Sequence, residues 1–262
     1  MSEIKQELTI VKVGGGIIDS KSLLEDLLLD FSKIETPKIL VHGGGNLATA
    51  ISSRLGIKSK MVNGRRITDS DSLEVVSMVY PGQINKNICA ILQKYQVNAL
   101  GVSGVDGNLI RSNKRIDNEI DYGFVGDIVE IDTNLIGAFI DLGLVPVFCS
   151  LTHDGFGQLL NTNADTIAAA LSKVLVARYK VSLKFVIDLP GVLLDVDDDN
   201  SLLPEINKSY YQKLAKDGYL SKGMIPKMVN AFDALSHGVS NVLIGNHEVL
   251  RGSSDKFTNL VL

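Results

Sequence analysis

The strongest constraint on this chain is a set of short runs of Val, Ile and Leu, at Leu8 to Val13, Lys38 to His42, Asn98 to Val102, Leu144 to Cys149, Lys184 to Ile187 and Asn241 to Ile244. A strand with one wet face alternates polar and apolar residues, whereas a strand covered on both faces is apolar nearly throughout. Between the runs lie longer segments of helical period: Ser22 to Lys33, Leu47 to Leu55, Asp71 to Val79, Asn85 to Gln93, Asn134 to Leu142, Ala164 to Arg178 and Met224 to His237. Such alternation is built from βαβ units, so an α/β fold around a mainly parallel sheet is expected. Thr162, with Asp165 three residues on, resembles a capping box for the helix from Ala164. Met61 to Thr68, Asp106 to Arg111, Phe124 to Glu130 and Gly155 to Leu160 read as short hairpin strands projecting from that sheet. A change of composition near residue 165 divides the chain into an expected amino-terminal lobe, 1–165, and a carboxy-terminal lobe, 166–262.

With 262 residues, 45% of them hydrophobic, the chain can bury a sizeable core. A net charge of −4 and the lack of any cluster of Lys and Arg among aromatics argue against nucleic acid as a partner. Apolar stretches such as Ile136 to Cys149 are broken by Asp141, Gly143 and Pro146, well short of the roughly 20 residues a membrane helix needs. No membrane span is expected, and the polar start, Met1 to Leu8, leads to the expectation of a cytoplasmic protein. Cys89 and Cys149 sit in apolar contexts and read as reduced core cysteines. His42, His153, His237 and His247 have no metal-ligand spacing, and capping, turn or surface roles are expected for them. The acidic run from Asp195 to Asp199 lacks the Gly and bidentate Glu of a calcium loop, since Asn200 and Ile206 occupy those places. It reads as a solvated turn.

The first strand runs into Lys12-Val13-Gly14-Gly15-Gly16 and the second into His42-Gly43-Gly44-Gly45, each ahead of a helix. Without Cβ atoms the backbone N–H groups can approach an anion closely, and a helix N-terminus adds a favourable dipole. Two such loops at the carboxyl ends of parallel strands point to one phosphate-handling crevice. Neither is followed by Gly-Lys-Ser/Thr and neither fits G-x-G-x-x-G, so a P-loop enzyme and a standard Rossmann dehydrogenase are disfavoured. Tight turns alone also use glycine; Lys12 just ahead of the first loop favours a functional one. A second polar group, Gln158, Asn161, Asn163 and Asp165, lies where a hairpin meets an apolar helix, and one cap accounts for only one of them. The segment from Ser221 to Lys227 opens the last long helix, with Pro226 in the first turn. Its lysines oppose the helix dipole, which an anion nearby would relieve.

Taken in order, these motifs resemble one family. Lys12 with Gly14 and Gly15, His42 to Gly45, Asn63-Gly64-Arg65-Arg66-Ile67-Thr68, Asn161-x-Asn163-Ala164-Asp165, Asp188-Leu189-Pro190-Gly191-Val192-Leu193 and Gly223 to Lys227 follow one another as in the N-acylglutamate kinases of the amino-acid-kinase family. Asn85-Lys86 and Phe124-Val125-Gly126 add to the match. The resemblance implies an open three-layer αβα sandwich of two joined lobes, the first binding the acylated amino acid and forming a homodimer, the second binding ATP. It implies that Gly44 and Gly45 bind the γ-carboxylate region through backbone N–H groups while Arg66 and Asn161 hold the α-carboxylate, a task that suits a guanidinium fork. Lys12 and Lys227 would flank the transferring phosphoryl group, and Asp165 would hold both lysines in place. Gly14, Gly15, Asp188, Gly191, Val192, Leu193, Tyr219 and Ser221 would line the nucleotide site, with Mg2+ carried mainly on the ATP phosphates. The implied reaction moves the γ-phosphoryl of MgATP to the γ-carboxylate of an N-acyl-L-glutamate, the second step of arginine biosynthesis. An acceptor carboxylate is already ionised at neutral pH, so no general base is required.

Arg65 stands where the family usually has Leu, and Pro81 where relatives commonly have Ala. Acetyl is the family's acyl group. An acyl group with its own carboxylate, such as succinyl, would compensate Arg65 in the site, whereas strand alternation would send Arg65 to solvent if Arg66 enters it. The few residues ahead of Leu8 leave no room for the added helix of arginine-inhibited hexamers, so a two-fold homodimer insensitive to arginine is expected. One rival reading is another family member, acting on glutamate, aspartate, carbamate or UMP, set apart by the Asn63 to Thr68 hairpin and Asn161-x-Asn163. The other is a non-catalytic nucleotide-binding protein, which the presence of Lys12, Asp165 and Lys227 together argues against.

Overall fold

Each of the six apolar runs forms a strand in the computed structural model, which describes residues 5–62, 65–220, 223–252 and 254–262, the side chain of Arg65 excepted. The fifth strand is longer than expected, Lys180–Val186, because its polar Lys180, Ser182 and Lys184 alternate with the fully buried Val181, Leu183 and Phe185. Contacts divide the chain into two units, one running to Ile39 and resuming over Ala168–Leu262, the other Leu40–Ile167. The second junction lies close to the expected boundary at residue 165. The opening strand, however, groups with the carboxy-terminal unit, because it pairs in parallel with Lys180–Val186 from Glu7↔Lys180 to Val13↔Val186.

In that unit Glu7–Val13, Lys180–Val186 and Asn241–Gly245 are parallel neighbours, extended by Thr258–Val261 and Glu205–Asn207. Helices Lys21–Ser32, Lys208–Lys216 and Met224–Ser236 accompany them. The helix Lys208–Lys216 has no counterpart among the sequence expectations: it is polar overall, and its narrow stripe of Tyr210, Tyr211, Leu214 and Ala215 buries only Leu214 fully. Asn207 starts it by accepting the Tyr210 N–H at 2.8 Å.

The other unit carries Val145–Cys149 between Ala99–Val102 and residues 40–42, the end of the strand Lys38–His42, all parallel. The hairpin segments form small sheets of their own: four strands in the order Leu159–Asn161, Leu151–His153, Ile110–Lys114, Gly126–Ile131, and the pair Lys60–Val62 with Arg65–Ile67. Helices Ser70–Met78 and Asn85–Lys94, expected as separate, are joined by the π-helix Val79–Ile84. Pro81 has no N–H for an α-helical ladder, and a wider turn accommodates that loss. The helix Ala164–Leu175 is capped by Asn163, whose Oδ1 accepts the Thr166 N–H at 3.0 Å. Thr162, expected as the cap, is instead buried with its hydroxyl 2.8 Å from that of Thr152. Among the described residues no helix is long and apolar enough to cross a membrane.

Candidate active site

The strand ending at His42 hands the chain to three glycines, and the helix Gly45–Arg54 begins at once. Glycine is required at the middle position. Gly44 has φ +156°, and a Cβ there would lie 2.1 Å from Ile84 Cδ1 and 3.0 Å from the Tyr80 ring, both brought in by the π-helix. The Gly44 carbonyl accepts the Ala48 N–H at 3.0 Å, and the Gly45 carbonyl accepts Arg66 Nη2 at 2.7 Å. Arg66 is buried and further donates to Thr49 Oγ1 at 2.5 Å and, through Nη1, to Ser59 Oγ at 2.6 Å. Its planar fork is thereby locked beside the glycine loop. Burial raises the Tyr80 phenol pKa, with the Arg66 charge and hydrogen bond pulling the other way.

Asn161 arrives from a different strand. Its Nδ2 donates to Thr68 Oγ1 at 3.0 Å, and that hydroxyl lies 3.4 Å from the Arg66 carbonyl, to which it donates. Thr68 is fully buried and tied by backbone bonds to Tyr122 and Phe124, so the Arg66 hairpin and the Asn161 strand share one anchor. A Cβ on Gly43 would lie 3.6 Å from Ala164 Cβ, which brings the next helix start against the loop. Gly44, Gly45, Arg66 and Asn161 therefore gather in one unit. Asp165, also buried, occupies the first turn of the helix Ala164–Leu175 in that unit.

His42 corrects an expectation. Rather than capping or facing solvent, it is fully buried, with Nδ1 2.9 Å from the Gly43 carbonyl and Nε2 3.0 Å from Asn85 Nδ2. The same Asn85 nitrogen donates to the Val147 carbonyl at 2.8 Å. Burial pushes the His42 pKa down to about 4, so the ring is neutral at physiological pH.

The carboxy-terminal unit holds the other candidates. Gly14 N–H donates to the Val186 carbonyl at 2.8 Å, and a Cβ on Gly16 would lie 2.6 Å from Asp188 Oδ2, so the first loop is tight against the segment beginning at Asp188. Gly15 follows in the short helix Gly15–Asp19. Gly191, Val192 and Leu193 are buried, and Val192 N–H donates to Thr258 Oγ1 at 2.8 Å. Tyr219 is 56% exposed just beyond the helix Lys208–Lys216. Ser221, with Lys222, Asn63 and Gly64, lies outside the described residues.

Lys227 sits in the helix Met224–Ser236, buried, with Nζ 4.9 Å from the centre of the Phe185 ring. Phe185 is the register partner of Lys12, which is buried as well. Paired residues of parallel strands point to one face, so the two lysines share an aromatic neighbour. Cys149 has its thiol pKa pushed up to about 12 by burial, and the Cys89 thiol is raised for the same reason; both are free. Among the described residues no group of three or more His, Cys, Asp or Glu is placed to hold a metal ion.

Two glycine loops after parallel strands, one beside the buried Lys12 and the other held by the buried Arg66, characterise this α/β protein. The chain belongs to the amino acid kinase family, whose pattern matches residues 7–246. It is 52% identical over 242 residues to an acetylglutamate kinase of Bacteroides fragilis, a match spanning 92% of this chain and 93% of that protein. It is 48% identical over 246 residues to the acetylglutamate kinase of Cytophaga hutchinsonii, covering 94% and 93% of the two chains. The crystal structure of smu.665 from Streptococcus mutans superposes with a TM-score of 0.77 at 27% identity, over 91% of this chain and 94% of that one. The expected α/β class with a mainly parallel central sheet is thus that of the family. Thr68, Tyr80 and His42 were not singled out as site residues by the sequence; only the π-helix that carries Tyr80, invisible to helical periodicity, explains that second omission.

Proposed function

We propose that this chain is an N-acylglutamate kinase, moving the γ-phosphoryl of MgATP to the γ-carboxylate of an N-acyl-L-glutamate in arginine biosynthesis. The observation that carries the reading is the buried Arg66 fork on the Gly45 carbonyl, in a chain about half identical to acetylglutamate kinases over nearly its whole length. On this reading Gly44 and Gly45 receive the reacting carboxylate through N–H groups, and Arg66 with Asn161 holds the α-carboxylate. Lys12 and Lys227 neutralise charge on the phosphoryl oxygens as the bond to ADP loosens, and Asp165 orients both ammonium groups. Gly14, Gly15, Asp188, Gly191 to Leu193, Tyr219 and Ser221 line the nucleotide site. Mg2+ enters on the ATP phosphates, which already supply most of its oxygen ligands. A cytoplasmic homodimer completes the proposal, with residues 1–165, apart from the opening strand and its Gly14-Gly15 loop, serving the acceptor and 166–262 the nucleotide.

The acyl group is assigned as acetyl, the group in the relatives' names. Hydroxylamine traps acyl phosphates as hydroxamates, so incubation with MgATP, hydroxylamine and either N-acetyl- or N-succinyl-L-glutamate tests both parts. Hydroxamate from acetylglutamate supports the assignment. Hydroxamate from succinylglutamate alone would move it to the larger acyl group, and none from either would remove it.

A further inference from the structure

From the geometry beneath the second glycine loop we infer that His42 and Asn85 are positioning residues, which aim the Gly44 N–H at the acceptor carboxylate. The inference rests on the proposed acceptor site and adds to it two residues that touch no substrate.

Asn85 Nδ2 has two hydrogens, one spent on the Val147 carbonyl at 2.8 Å and one directed at His42 Nε2 at 3.0 Å. Its orientation is fixed from the other side too, since Asn85 Oδ1 accepts from Lys86 Nζ at 3.3 Å. A flipped amide would set oxygen against the Val147 carbonyl and NH2 against the ammonium. His42 Nε2 must therefore accept, and a neutral imidazole that accepts at Nε2 carries its proton on Nδ1. That proton points at the Gly43 carbonyl, 2.9 Å away.

The consequence falls on the next atom pair. No cis peptide bond occurs among the described residues, so in the Gly43–Gly44 unit the C=O and N–H point in opposite directions. Drawing the carbonyl into the core toward His42 turns the Gly44 N–H outward. The Gly44 carbonyl is likewise engaged by the Ala48 N–H at 3.0 Å, which directs the Gly45 N–H away from the body of the helix that Gly45 opens. Ile84 and Tyr80 close on the Gly44 Cα from the side, so the loop has no space in which to rotate. Ile84 and Asn85 are consecutive, so one turn of chain sets the loop both by contact and through the imidazole.

Two substitutions of His42 separate this role from mere core packing. His42→Asn keeps an N–H donor near the position of Nδ1, whereas His42→Gln places its amide near Nε2 and loses the donor to Gly43. Nitrogen-15 NMR of the wild-type imidazole should show the Nδ1–H tautomer, and thermal unfolding shows whether each variant folds. With N-acetyl-L-glutamate as acceptor, His42→Gln should lower kcat/KM at least about tenfold with the KM for ATP unchanged, and His42→Asn should recover most of that loss. Equal losses in the two variants, or an Nε2–H tautomer in the wild type, would overturn the inference. If wild-type protein phosphorylates no N-acylglutamate, the functional reading fails instead, and the tautomer alone decides whether His42 holds the loop.

Discussion

The ammonium of Lys227 lies 4.9 Å above the centre of the Phe185 ring, and Phe185 is fully buried. A desolvated ammonium over an aromatic face gains up to about 2 kcal/mol from that contact. Lys12 pairs in register with the same Phe185. Replacing Lys12 or Lys227 by Ala should therefore cut kcat by roughly 10² or more, with little change in acceptor affinity measured by calorimetry. A Lys227→Ala protein with near-normal kcat would remove that lysine from the proposed chemistry.

Phe185→Leu keeps the apolar volume approximately and removes only the ring face. A several-fold drop in kcat, smaller than that of Lys227→Ala, is expected, with a double-mutant cycle showing strong coupling between the two positions. Additive effects would mean that the ring does not place the ammonium.

Gly44→Ala should be among the most damaging single-methyl changes in this chain. The added carbon would meet Ile84 Cδ1 at 2.1 Å and the backbone would be strained at φ +156°. A destabilisation of about 2 kcal/mol or more is expected by urea unfolding, together with weakened acceptor binding. Gly45, whose Cβ position is 3.9 Å from Arg66 Nη2, should tolerate the methyl better for stability. The reverse ranking would contradict the loop geometry.

Arg66→Lys keeps the charge and loses the fork. One ammonium cannot reproduce the bonds to Gly45, Thr49 and Ser59, so the acceptor KM should rise at least about tenfold while the ATP KM stays put. A parallel rise in both KM values would point to general loosening.

His42 also gives the fold a pH dependence with a definite sign. Its folded pKa of about 4 lies below the ordinary 6.5, so between those values the unfolded chain binds the extra proton. Stability must then fall as pH is lowered from about 6.5 to 4, by about 3 kcal/mol from this group. Urea unfolding across that range should show the loss in wild type and less of it in His42→Asn. Parallel curves would mean the ring titrates normally.

Much of the architecture was legible because strands covered on both faces leave little choice of residue, and Leu8 to Val13 or Lys38 to His42 has no amphipathic alternative. The loops were legible for a related reason, since close neighbours such as Ile84 at Gly44 and Asp188 at Gly16 leave no room for a Cβ. What escaped the sequence was decided by tertiary partners. The helix Lys208–Lys216 buries one leucine and looks like a polar loop, and Lys180 to Ser182 looks too polar for a strand until its alternate residues are seen buried. Asn163 rather than Thr162 caps its helix because Thr152 claims the Thr162 hydroxyl, a contact between segments ten residues apart. His42 read as a turn residue because nothing in its neighbours announces Asn85, 43 residues away, as its partner.

The central claim is that an N-acylated glutamate is the phosphoryl acceptor, and the most direct test is kcat/KM for ADP release with MgATP across a panel of acceptors: N-acetyl- and N-succinyl-L-glutamate, free glutamate, aspartate, carbamate and UMP. Turnover confined to an N-acylglutamate, with the other four at least about 10³-fold lower, is the predicted result, because in the proposed function Arg66 and Asn161 hold an α-carboxylate beside an acylated nitrogen. Free glutamate or carbamate working as well as the acylated substrate, or ADP release indifferent to every acceptor, would contradict it.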